Sequence, residues 1–252
     1  QAEGVLKNPP IVAMLSEGGP PLDGDLPRYV VLDGANRCTA LAGLRFPHIL
    51  VQVVKYEPPH VTLTTWHHVV TGIEVEKFTA ELDAIHGLEF RPLDLLRARA
   101  GLARRELLAY TVCADGQVFA ARTETHTTLH EQNRLLNAMV DTYKDRGKLF
   151  RATTDNLEEA RGLYHDLTGL VIFPNYEPPE VVALARDGEL LPTGLTRHLI
   201  HGRALRTNYS LSELKSDDSL EAKNTRLQEW LKKKAAAKEI RFYGEATFLF
   251  DE

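Results

Sequence analysis

The run Val30-Val31-Leu32-Asp33-Gly34 stops an apolar strand at Asp-Gly and passes directly into the helical pattern Ala35-Asn36-Arg37-Cys38-Thr39-Ala40-Leu41. Gly34 permits a tight turn and close approach of a ligand, while the unpaired N–H groups and positive dipole end of the following helix face outward and favour an anion. Arg37 adds a planar, permanently charged fork for phosphate oxygens. Asp33 stands where a carboxylate can hold a metal or steer a hydroxyl. The plainer alternative is a βα turn in which Asp33 caps the helix.

Elements on either side of this junction extend it into a compact unit. Ile11 to Leu15 reads as a buried strand, ended by Ser16-Glu17-Gly18-Gly19-Pro20-Pro21, and Tyr29 to Leu32 is the next strand. A helix over Ala35 to Leu44 and a strand over Ile49 to Val54 complete a β-loop-β-α-β arrangement. Glu17 and Asp33 both fall at strand ends, beside loops.

Farther along, Leu63 to Val69 mixes β-forming residues with Trp66, His67 and His68. Helices are expected over Val75 to Ile85, Pro92 to Ala100, Thr128 to Arg146, Leu157 to His165 and Pro178 to Arg186, with a strand at Gly169 to Phe173. Glu106 to Cys113 and Gln117 to Arg122 flank Ala114-Asp115-Gly116 as a hairpin. Leu191 to Arg203 reads as a turn entering a cation-loaded helix, a second potential anion site. Ser212 to Lys238 carries a polar helix, and Arg241 to Phe250 closes with a β-like run.

The 252 residues suffice for one large domain or two smaller ones, and 43% hydrophobic with 26% charged residues is ordinary for a globular protein. A net charge of -5 argues against coating nucleic acid as the main task, although a local basic patch stays open. No stretch has the roughly 20 apolar residues needed to cross a bilayer, and the opening residues lack a signal-peptide pattern. A cytoplasmic location and no membrane partner are therefore expected. Cys38 and Cys113 are far apart and form neither a disulfide framework nor a zinc knuckle.

Asp33-Gly34-Ala35-Asn36-Arg37, with Ala40, Leu41 and the apolar run Ile49 to Val54, resembles the Asp-Gly-x-x-Arg signature of the ParB/sulfiredoxin fold. Within that fold the chain is most similar to the free L-serine kinases, including those of siderophore clusters that make O-phospho-L-serine. Ala35 and Asn36 depart from the signature, since many relatives carry His there. The resemblance implies an α/β (α+β) protein: a ParB/sulfiredoxin-like nucleotide-binding domain over 1–72, a mixed α/β domain over 73–208 contributing to the substrate site, and a C-terminal helix and strand segment over 209–252.

It also implies roles for particular residues. Gly34, Ala35, Asn36, Arg37, Cys38 and Thr39 would cradle the phosphates of ATP or ADP, with Mg²⁺ offsetting their charge. Glu17 is the candidate base and Asp33 its assistant at the hydroxyl or the metal. Trp66 and His67 would line the amino-acid pocket, and Thr196, Arg197, His198 and Arg203 would bind the substrate, with Arg206 a weaker candidate. Each has a bland counterpart: a solvated loop Glu17, a helix-capping Asp33, a core Trp66 beside exposed histidines, and a solvated cationic helix face.

Two rival classes are weighed against phosphotransfer to L-serine. A ParB-like nucleotide-gated DNA-binding or regulatory protein would need a basic helix-turn-helix, whereas the segment after residue 70 reads as an acidic helix and hairpins. Sulfiredoxin chemistry would need a reactive cysteine within the turn, and Cys38 lies just past it. His126 and His130 are spaced i, i+4 but lack the third ligand and base of a zinc site. Lys232-Lys233-Lys234 reads as a solvated helix face. The oligomeric state is not legible in the chain.

Overall fold

The computed structural model describes residues 4–15, 28–123, 127–242 and 244. The chain opens with β1 (Val5–Leu6), β2 (Ile11–Met14), β3 (Tyr29–Asp33), α1 (Ala35–Gly43) and β4 (Gln52–Val54). It continues through β5 (Val61–Thr65), β6 (His67–Thr71), α2 (Val75–Asp83), β7 (Leu88–Pro92), α3 (Leu95–Ala103), β8 (Ala109–Cys113) and β9 (Val118–Thr123). Next come α4 (Leu129–Tyr143), β10 (Lys148–Ala152), α5 (Leu157–Leu163), β11 (Leu167–Ile172), α6 (Pro178–Arg186) and β12 (Thr196–Ile200). β13 (Tyr209–Ser210), α7 (Leu211–Lys215) and α8 (Leu220–Ala236) complete the order.

The chain divides into a unit of residues 1–62 with 200–252 and a unit of residues 63–199. These limits differ from the expected boundaries at 72 and 208, and strand pairing gives the reason. β6 is an interior strand of the larger sheet, so residues 67–71 belong with the second unit. β1 pairs antiparallel with β13, Leu6 opposite Tyr209, so the C-terminal segment belongs with the N-terminal unit instead of standing as a third part.

In the first unit β2 lies between β3, antiparallel, and β4, parallel. A parallel partner requires a crossover, and α1 supplies it. The order of strand, strand, helix and strand read from the sequence is therefore realised. Leu41 of α1 packs with Leu6, Tyr209 and Leu214, and Trp230 of α8 meets Tyr209 edge-on at 5.3 Å between ring centroids. Ser219 caps α8 through the Ala222 amide.

The second unit is built on a sheet in the order β10-β6-β11-β8-β9-β7. Side chains alternate across it. Val69, Leu170, Ile172, Tyr110 and Val112 pack with Ala98 of α3 and Ala160 of α5. His68 points to the other face, where it meets Tyr143 of α4. A reciprocal capping box between Thr128 and Glu131 starts α4, and its Leu135, Leu136, Met139 and Tyr143 are all but inaccessible.

Three local expectations change. The helix expected to start at Pro92 begins at Leu95, because Leu88–Pro92 forms β7 against β9. The cationic helix expected at Thr196 is the strand β12, paired with β5. The segment Ser212 to Lys238 holds the expected polar helix as α8, and ahead of it stands a short helix, α7, that was not expected. The strand expected over Arg241 to Phe250 lies largely outside the described residues, and Arg241 and Phe242 are irregular. No helix of the described residues is long and apolar enough to cross a membrane.

Candidate active site

The Asp-Gly turn of the first unit is built around one carboxylate and two guanidinium groups. Gly34 sits at φ 90°, ψ 24°, the left-handed region that an L side chain disfavours, and its carbonyl accepts the Arg37 and Cys38 amides at 2.9 and 3.0 Å. Among the described residues no side chain caps α1, so the Ala35 and Asn36 amides of its first turn keep their capacity for an anion. Asp33 is thus not the helix cap of the plainer sequence reading. Its Oδ2 accepts Arg37 Nη2 at 2.9 Å and Arg203 Nη1 at 3.0 Å, across 170 residues of chain in the second case.

The Arg37 guanidinium folds back over Gly34 instead of projecting from the helix. A Cβ on Gly34 would lie 2.8 Å from Arg37 Nη2. Arg37 Nη1 donates to the Asn8 carbonyl at 2.6 Å. The side chains of Asp33, Arg37 and Arg203 each stay about one-third accessible, leaving a net positive cluster at an uncapped helix start. Ala35, Asn36 and Thr39 are exposed along the same helix. Burial raises the Cys38 thiol above its ordinary range, opposed by the Arg37 charge, which disfavours a reactive thiolate.

Arg203 reaches Asp33 because its loop is held at two points that sequence reading missed. Gln52 of β4 donates to the Gly202 carbonyl at 3.0 Å and accepts the Ala204 amide at 2.9 Å. Asn8 accepts the Arg206 amide at 2.8 Å through Oδ1, while its backbone carbonyl holds Arg37. Single polar residues in a strand and a loop give no pattern that periodicity or spacing would reveal. Glu17, the candidate base, lies outside the described residues.

The second unit presents a different group. Arg197 lies over the Trp66 ring with Cζ 4.3 Å from its centroid, a cation–π contact. The Trp66 amide donates to the Leu195 carbonyl at 2.7 Å, and Thr64 Oγ1 donates to the Arg197 carbonyl at 3.2 Å. Because Thr196-Arg197-His198 runs as a strand, Arg197 points to one face and Thr196 and His198 to the other. Arg203 does not join them within this unit: it folds with the first unit, on Asp33.

His67 and His68 diverge in the same way. His67 Nδ1 accepts the Phe173 amide at 3.3 Å, which places the proton of the neutral ring on Nε2 and leaves it a donor. Burial lowers the His67 pKa, with the nearby Asp155 charge opposing. His68 is completely buried, its Nδ1 2.8 Å from Tyr143 Oη, and burial pushes its pKa down to about 4. Gly194 closes the turn beside it at φ 76°.

No protein-family model matches the chain. Over its whole length it is 26% identical to the ATP-dependent L-serine kinase SbnI of Staphylococcus aureus, spanning 87% of that protein. The solved structure of C-terminally truncated SbnI superposes with a TM-score of 0.64 at 22% identity, covering 94% of this chain and 85% of that one. A glutamate-to-alanine mutant of a free serine kinase, in complex with AMP, superposes with a TM-score of 0.66 at 20% identity, covering 84% and 81%. In sequence the chain is similar to an ATP-dependent L-serine kinase, and in fold to solved free serine kinases. The kinase resemblance carried by the Asp33 to Arg37 signature thus extends across both units of the chain.

Among the described residues no three His, Cys, Asp or Glu side chains cluster as a metal site. A magnesium ion that keeps water and nucleotide phosphate oxygens as ligands needs only one or two protein carboxylates. Asp33 fits that requirement, because both guanidiniums occupy Oδ2 and Oδ1 has no hydrogen bond among the described residues.

Proposed function

We propose that this protein is a cytoplasmic free L-serine kinase that transfers the terminal phosphoryl group of ATP to the serine hydroxyl, giving O-phospho-L-serine. The observation that carries the reading is the Asp33-centred pair of guanidiniums at an uncapped helix start, in a chain related throughout to an ATP-dependent L-serine kinase. Phosphoryl transfer asks a protein chiefly for positioning and for charge stabilisation. The first-turn amides, Arg37 and Arg203 supply both for phosphate oxygens. Asp33 orients the two guanidiniums. Magnesium, held through Asp33 Oδ1, would neutralise phosphate charge.

Glu17 accepts the hydroxyl proton as the serine oxygen bonds to the terminal phosphorus and the nucleoside diphosphate departs with the bridging oxygen. The free serine kinase crystallised with a glutamate replaced supports a glutamate in such a role. Trp66 and Arg197 form one wall of the amino-acid pocket, and His67 offers its Nε2–H to a substrate oxygen. The product suits siderophore or amino-acid biosynthesis. Directly after residue 70, α2 is succeeded by β7 and α3 by β8, so that stretch does not carry the helix-turn-helix that a ParB-like DNA-binding reading needs there.

Phosphorus NMR of the protein with Mg²⁺, L-serine and either ATP or ADP tests the reading. An O-phosphoserine resonance growing with ATP is the expected result. Bound nucleotide without serine-dependent transfer would overturn it.

Gln52 provides a separate check on the Arg203 arm. Gln52→Ala frees the Gly202 to Ala204 loop and lets Arg203 drift from Asp33. Misplacement on the scale of an ångström costs up to about a hundredfold; we expect kcat/KM for ATP to fall about tenfold with the serine KM little changed. Unaltered nucleotide kinetics would remove Arg203 from the phosphate site.

A further inference from the structure

Among the described residues Arg151 is a cation without a counter-charge. It lies on β10, the edge strand of the larger sheet, directly opposite His68 of β6, so the two side chains share a face. Its guanidinium reaches across the Gly194 turn: a Cβ on Gly194 would stand 3.0 Å from Arg151 Nε, 3.6 Å from Nη2 and 3.4 Å from His68 Nε2. No carboxylate of the described residues pairs with Arg151, although other arginines of this unit are paired: Arg99 with Asp155, Arg146 with Glu81 and Arg161 with Glu158.

A second donor converges on the same turn. The fully buried Tyr143 hydroxyl bonds His68 Nδ1, and with Tyr143 as the donor the imidazole proton resides on Nε2. That nitrogen is buried against the Gly194 backbone and backs the turn over which Arg151 lies. The turn is also tied to the amino-acid pocket, since Leu195, next to Gly194, holds the Trp66 amide and precedes Thr196-Arg197.

We infer that Arg151, set over the Gly194 turn, binds the α-carboxylate of the amino-acid substrate. This rests on the serine-kinase reading and extends it to a residue outside the family signature. The assignment follows from charge matching. Phosphate groups are provided for in the first unit by Arg37, Arg203 and the α1 amides, whereas free serine carries a single anionic group, its carboxylate. A planar unpaired guanidinium offers two parallel N–H donors to such a group. Gly194 is required because any side chain there would strike the guanidinium and disfavour the positive φ.

The test compares wild type, Arg151→Ala and Arg151→Lys with L-serine and L-serinamide as acceptors at saturating ATP, and then with ATP varied at saturating serine. Arg151→Ala should raise the serine KM at least tenfold with the ATP KM unchanged, and Arg151→Lys should recover part of it. The wild type's preference for serine over serinamide should collapse in Arg151→Ala, because the amide lacks the charge that Arg151 reads. A structural role alone would not alter that ratio. Retention of the full preference in Arg151→Ala, in a wild type that phosphorylates serine, would overturn the carboxylate assignment and leave the kinase reading intact. A wild type that transfers nothing to serine would overturn both.

Discussion

Replacing Glu17 with glutamine is expected to slow phosphoryl transfer to L-serine by about a thousandfold while ATP affinity stays near wild type, the range assigned to removal of a general base. Asp33→Asn should behave differently. The amide keeps an acceptor oxygen but loses the charge that gathers Arg37 and Arg203, each by a charge-assisted hydrogen bond. Arg203 then loses its fixed position and Arg37 keeps only its hold on the Asn8 carbonyl, so we expect kcat/KM to fall about a hundredfold with part of the loss in the ATP KM. Single-turnover transfer and nucleotide titration, run on both variants, separate the two roles. If Glu17→Gln weakened nucleotide binding and spared transfer, the base would have to be sought elsewhere. If Asp33→Asn tightened ATP binding with transfer intact, Asp33 would be a counter-charge and nothing more.

What the sequence discloses about this site depends on how local each contact is. The turn at Asp33-Gly34 is punctuated by residues whose backbone preferences are strong, and the strand, turn and helix appear where those preferences place them. The partner that completes the cluster, Arg203, is 170 residues away and is brought there by strand pairing and by Gln52, neither of which leaves a periodic trace. Thr196 to Ile200 fails for a related reason. Its residues suit a helix or a strand, and pairing with the distant β5 decides for the strand. That choice matters chemically, because a strand sends Arg197 away from Thr196 and His198, whereas a helix start would have gathered them. β10 leaves no such trace in the sequence, because Lys148 to Ala152 comes close behind the α4 pattern, and only its register sets Arg151 opposite His68.

The buried His68 should make the protein lose stability on mild acidification. In the unfolded chain its imidazole takes up a proton near pH 6.5, whereas in the native state burial, with Arg151 and His67 adding to it, holds the pKa down to about 4 against the Gly194 backbone. Between those values the unfolded state binds more protons than the native state, so stability is complete above pH 6.5 and drains away as the pH falls toward 4. A difference of this size corresponds to about 3 kcal/mol. His67, lowered in the same direction by burial, adds to the slope, so the wild-type curve alone does not isolate His68. Glu180 and Glu189, whose pKa values are held below the ordinary carboxylate range, lose their contributions at lower pH and leave the interval from 6.5 to 4.5 to the histidines. Urea unfolding at half-unit pH steps, on wild type and His68→Gln, reads the difference. The variant should start lower at pH 8 by about 1–3 kcal/mol, having lost the Tyr143 partnership, yet decline less steeply as acid is added. Parallel slopes in the two proteins would mean that His68 protonates in the native state as readily as in the unfolded chain, and the site behind the Gly194 turn would then be open to water instead of sealed by Tyr143 and Phe173.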